Sequence, residues 1–199
     1  MVEKKVAQLR LETADELFLI IPPEEEVSAL ATPNMSTIDF INKLILTNLL
    51  NEAIRYLAIA LPRREAIWWA SATNRLLKND RMAEKDKAAW KLVEDWVYNP
   101  TEEIRAESLK IAEELGFETP GSYGAMGVFW SGGSMVPPET GQFVPPPATL
   151  TGSAIGASVI MNCALGDPQQ LTTRQRSALE IGLDVAYGGN GLSRVLIQT

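Results

Sequence analysis

Helix start signals recur at short intervals along this chain and constrain its fold more than any other feature. Thr13 and Glu16 have capping-box spacing ahead of Leu17–Phe18–Leu19–Ile20–Ile21. In that arrangement a hydroxyl and a carboxylate satisfy two N–H groups that the first helical turn leaves unpaired. Ser36 and Asp39 repeat the signal before Phe40, Ile41, Leu44 and Ile45, and Thr172 and Gln175 repeat it near the end. Pro62, Pro100 and Pro120 fit first-turn positions, where a missing N–H costs nothing, with Asn99 and Thr119 as caps for the last two. Pro22–Pro23 ends the first helix and can open another carrying Val27, Leu30 and Ala31.

Between these marks the apolar residues follow helical spacing. Ile54, Leu57, Ala58 and Leu61 share one face, as do Ala66, Trp69, Ala70, Thr73 and Leu76, and then Trp90, Val93 and Val97. Gly116 and the Gly188–Gly189–Asn190–Gly191 run are stop signals. The expected fold is all-α, with about nine or ten helices in antiparallel helical hairpins. Residues 1–12 read as an N-terminal tail and 13–199 as a single helical domain. A Gly/Pro-rich loop at 131–149 precedes the last two helices. Asn79–Asp80–Arg81 reads as a turn, and Val195–Leu196–Ile197 as a short strand or packed tail.

Charge limits what such a fold can do. A net charge of −7 argues against a general nucleic-acid binder, which needs cations to displace the counterions of phosphates. Of the 43 charged residues, 35 precede Gly116. The remainder of the chain therefore reads as a central buried layer or a partner-facing surface. The longest apolar runs, Ile38 to Leu50 and Leu150 to Leu165, are too short or interrupted for a bilayer-spanning segment of about 20 residues. No membrane insertion is expected, and with no secretory-type apolar stretch after Met1 the expected location is the cytoplasm.

The chain has no histidine, which removes Ser–His–Asp and Cys–His catalysis and His-containing zinc sites together. Cys163, the one cysteine, lies in an apolar run and reads as a core residue. Gly121–Ser122–Tyr123–Gly124 lacks the strand and the following Lys–Ser/Thr of a phosphate loop. Gly152 and Gly156 have the spacing of close helix packing. No cofactor and no metal are expected, and the chain reads as a non-enzyme. An enzyme using Glu, Ser or Tyr alone is the remote alternative.

Two clusters remain. Leu61–Pro62–Arg63–Arg64–Glu65–Ala66–Ile67–Trp68–Trp69 sets two guanidinium groups beside two indoles. Arg63 and Arg64 suit a partner's carboxylates and Trp68 an apolar anchor, as interface hot spots tend to be. Phe129–Trp130–Ser131–Gly132–Gly133–Ser134 places Trp130 at a helix end, where Gly132 and Gly133 permit another chain to approach. The competing reading puts Trp69 in the core, pairs the arginines with neighbouring Asp or Glu, and makes Gly132 a helix stop and Trp130 an anchor for the long loop. Arg63, Arg64, Trp68, Trp130, Gly132 and Gly133 are the candidate partner-binding residues.

The segments Leu61 to Ala70 and Phe129 to Ser134, with Pro137–Pro138, Val144–Pro145–Pro146–Pro147 and Gly182–Leu183–Asp184–Val185–Ala186, resemble an uncharacterised bacterial family associated with type VI secretion gene clusters. The resemblance covers roughly Thr13 to Gly189. Ser71 and Ala72 stand where that family suggests a cysteine-bearing stretch, which argues against a thiol role there. The resemblance implies a cytoplasmic adaptor or chaperone whose protein partner is a secreted effector or spike component. An immunity-type protein that blocks a cognate toxin is the alternative.

Overall fold

The structure, a computed structural model, describes residues 7–77 and 82–191. The expected turn at Asn79–Asp80–Arg81 and the segment Val195–Ile197 lie outside them. Ten α-helices are present among the described residues: α1 (Ala14–Ile20), α2 (Glu25–Ser28), α3 (Thr37–Leu46), α4 (Leu50–Ala60), α5 (Arg63–Leu77), α6 (Glu84–Tyr98), α7 (Glu102–Glu114), α8 (Pro120–Phe129), α9 (Leu150–Ala164) and α10 (Leu171–Ala186). Short 3-10 turns occupy Pro138–Thr140 and Pro168–Gln170. The fold is all-α, with no strand among the described residues and one isolated bridge, Thr13 to Ser36.

The local signals set most of the helix starts. Thr13 and Glu16 form a full capping box, as do Thr119 and Ser122, and the Ser36 hydroxyl accepts from the Asp39 N–H. Two starts differ from expectation. Thr101, not Asn99, caps α7, because its hydroxyl reaches the Ile104 N–H while Pro100 stays outside. Thr172 lies inside α10, whose start is set by the Pro168–Gln170 turn, and the Gln175 amide instead reaches Asn51 on α4.

Helix α9 is the uncharged centre of the domain, packed against α4, α5, α8 and α10. Gly152 makes this possible: a Cβ there would come within 2.8 Å of the Ala58 carbonyl oxygen. The paucity of charge after Gly116 thus reflects a central layer in α8 and α9, both buried along most of their length. One contiguous apolar core links α1 to α10. At the α1 end Phe18, Phe40 and Tyr56 meet edge-on, with Phe18 and Phe40 centred 5.2 Å apart and Phe40 and Tyr56 5.3 Å.

Residues 8–12, part of the expected tail, run along this domain. The Gln8 N–H donates to the Ala186 carbonyl and the Arg10 N–H to that of Ala60, while Glu12 accepts from the Thr37 N–H.

Trp69 is fully buried and Trp90 nearly so, but they differ in one respect. The Trp69 indole donates to the Ala178 carbonyl at 2.7 Å, whereas the Trp90 indole N–H has no partner among the described residues. Replacing either by Ala should cost about 3–5 kcal/mol. Trp69→Phe should cost about 1 kcal/mol more than Trp90→Phe, since only the former loses a hydrogen bond. Urea unfolding midpoints of the four variants measure both differences.

Candidate functional site

The two clusters singled out in the sequence meet through one residue, Arg63, at the foot of the 131–149 loop. Arg63 opens α5, and its guanidinium donates to the Ser131 carbonyl at 2.8 Å. Arg10, on the extended segment before α1, donates to the Ala148 carbonyl at 3.1 Å and to that of Ile59 at 3.1 Å. These two arginines therefore hold both feet of the loop.

A third arginine fixes the corner itself. Arg105 of α7 is buried; it donates to the Phe129 carbonyl at 2.8 Å and to the Ser134 carbonyl at 3.3 Å, and lies 4.8 Å from the centre of the Phe129 ring. Glu102, one turn earlier, accepts from its Nε at 2.7 Å. Gly133 has φ +65°, and a Cβ there would lie 2.6 Å from the Arg105 guanidinium, so glycine is needed for two reasons. Gly132 carries no such demand, since a Cβ there would meet nothing within 4 Å. Trp130 caps the end of α8 and packs, half-buried, against the core.

Beyond the corner the loop closes on itself. The Ser134 hydroxyl accepts from both the Val136 and the Val144 N–H groups, and the Met135 N–H donates to the Val144 carbonyl at 2.8 Å. Phe143, next to Val144 where the lobe closes, is 71% exposed.

Arg64 and Trp68 face the other way. Two N–H groups of Arg64 converge on the Val97 carbonyl, at 2.9 and 2.6 Å. The Trp68 indole donates to the Asn190 carbonyl at 2.9 Å, meets Tyr98 edge-on and lies under the Arg75 guanidinium, 4.6 Å from its ring centre. With Gln8, Glu65 and Gly189 they line an open depression of about 320 Å³. A groove of about 330 Å³ lies between α4 and α9, lined by Ile21, Arg55, Ile59, Gly152 and Ile160 among others.

The reactive groups lie away from both hollows. Burial pushes the Asp86 carboxyl above the ordinary aspartate range, against hydrogen bonds from the Thr119 hydroxyl and the Gly121 N–H. It sits at the N-terminus of α8, where a carboxylate has a structural use. Burial likewise pushes the Cys163 thiol up to about 12, leaving it a core residue.

A family model described as "Family of unknown function (DUF6931)" matches residues 40–186. The chain belongs to this family. No curated protein and no solved structure matches it. The DUF6931 region runs from α3 to the end of α10 and contains Arg63, Arg105 and the whole loop, while Arg10 precedes it.

Sequence reasoning singled out Arg63 and Gly133 but missed Arg10, Arg105 and Phe143. Arg105 had a readable signal, because it shares one face of α7 with the buried Ser108 and Ala112. Arg10 had none, since both of its acceptors are remote in sequence.

The Arg105 guanidinium, hydrogen-bonded to Glu102, holds that carboxyl below the ordinary glutamate range. Its stabilising effect is therefore complete above the unfolded-chain value and is lost as pH falls through the folded one. The stability difference between wild type and Glu102→Gln should close as pH drops from about 5 to about 3. Arg105→Ala should cost about 1–3 kcal/mol at neutral pH, since it strips two carbonyls of their donor. Denaturant titrations across that pH range read both effects.

Proposed function

We propose that this chain is a cytoplasmic, non-enzymatic adaptor or chaperone that binds a protein component of a secretion system through the proline-rich loop. The observation that carries this reading is Phe143, 71% exposed on a loop tied down at both feet. A phenylalanine left in water forgoes about 1.5–3 kcal/mol of burial. Three arginines and Ser134 hold the loop that presents it, so little entropy remains to be lost when a partner covers the ring. Long loops kept in order by a rigid scaffold are common carriers of binding function.

The secretion context comes from the likeness in Leu61 to Ala70 and Phe129 to Ser134, the two segments that Arg63 joins. In this reading Arg63 and Gly133 shape the loop's foot and Gly132 leaves open space beside it, while Trp68 and Arg64 flank a separate hollow open to a second contact. The net charge of −7 also suits a blocker of a cognate basic toxin.

Tagged protein purified from its native host should carry one stoichiometric partner, identifiable by mass spectrometry as an effector or an apparatus protein. Phe143→Ala should weaken that complex by about 2 kcal/mol, roughly thirtyfold, with an unchanged unfolding midpoint. Undiminished recovery would move the interface away from the loop. A toxin as the recovered partner would favour the blocker instead.

A further inference from the structure

Arg10 and Arg63 stand together at the loop's feet without a carboxylate. Seven ion pairs are formed among the described residues, and neither of these arginines takes part in one. Arg10 is exposed and Arg63 half-buried. The backbone brings them close: the Arg10 N–H is bonded to Ala60, three residues before Arg63. The positive charge of Arg63, after the burial of Arg10 itself, pushes the Arg10 guanidinium pKa down. The two guanidiniums meet the loop at its two feet, Ala148 and Ser131, in a chain that has 25 Asp and Glu residues to neutralise them.

Their donors are not exhausted. A guanidinium has five N–H groups. Arg10 commits two contacts to carbonyls and Arg63 one. The remaining N–H groups supply charge-assisted donors, the geometry that suits a carboxylate held by two prongs. Arg105 is no rival for such a ligand, being buried and already paired with Glu102.

We infer that Arg10 and Arg63 form, at the feet of the loop that also carries Phe143, a carboxylate-binding subsite for Asp or Glu side chains of an acidic, apolar segment of the protein partner. The inference rests on the adaptor reading and names the partner's chemistry. Side-chain carboxylates are favoured over a nucleic-acid backbone because a net charge of −7 repels a polyanion, while two guanidiniums suffice for one or two carboxylates.

The test uses the full chain, isotopically labelled so that the arginine side-chain N–H signals can be followed. The probes are the blocked peptide acetyl-Glu-Leu-Glu-Glu-Phe-amide, its Gln-for-Glu counterpart and an oligothymidylate. The acidic peptide should shift the Arg10 and Arg63 signals in a saturable, salt-sensitive way, and the Gln peptide should not. Arg10→Gln and Arg63→Gln each remove the charge and shorten the side chain, releasing the carbonyls these arginines hold. Each should weaken acidic-peptide binding at least about tenfold in protein whose unfolding curve shows it fully folded at the titration temperature. Absence of shifts, equal shifts with the Gln peptide, or tighter binding of oligothymidylate would each overturn the inference. So would full affinity in both Gln variants. The adaptor reading fails separately: it is the Phe143 variant and the native partner, not these peptides, that decide it.

Discussion

Helix C-termini in this fold are finished by arginines from elsewhere in the chain. The last carbonyls of a helix have no intrahelical donor and carry the negative end of its dipole. The last turns of α4, α6, α8 and α9 contain no basic residue of their own. Arg10 reaches Ile59 in α4, Arg64 reaches Val97 in α6, Arg105 reaches Phe129 in α8, and Arg174 reaches Cys163 in α9. Each bond satisfies an orphan acceptor and also fixes the angle between two elements. Helices with short connections are thereby tied across the domain as well as along it.

This division explains what could be read beforehand. The N-terminal caps are local, so Thr13 and Ser36 announced α1 and α3 through residues three positions away, and Thr119 announced α8 through the adjoining Pro120. The burial of Trp69 followed from its place on an apolar stripe. The C-terminal finishing was opaque, because Arg64 and Val97 are 33 positions apart and Arg10 and Ile59 are 49 apart. An arginine seen beside a tryptophan in sequence looks equally like a hot spot and like a helix cap. Only the position of another helix's end separates the two, and for Arg64 that position is known only from the fold. The mistaken cap of α7 has the same origin at shorter range: Asn99 and Thr101 are both competent, and the backbone path around Pro100 selects between them.

The loop inherits its order from this scheme. Arg105 and Arg10 finish α8 and α4 with some of their N–H groups and grip the loop with others. The surface that presents Phe143 is therefore coupled to the same bonds that set the helix frame. The uncharged α9 supports it from below, its first turn starting directly after the loop and its glycines letting it sink against α4. Helix α7, rich in glutamate, packs on α6 and α8 and supplies Arg105 to the foot of the loop.

Ser134 gives this arrangement a further property. One hydroxyl oxygen gathers the Val136 and Val144 N–H groups, and the adjacent Met135–Val144 bond completes the clasp. Everything between these residues is a closed lobe whose ends are fixed to each other before they are fixed to the helices. Closure entropy rises only slowly with the length of such a lobe. Residues can then be exchanged, added or removed between Pro137 and Gln142 without transmitting strain to α8 or α9. The lobe is a head whose length and content can change on a handle that does not.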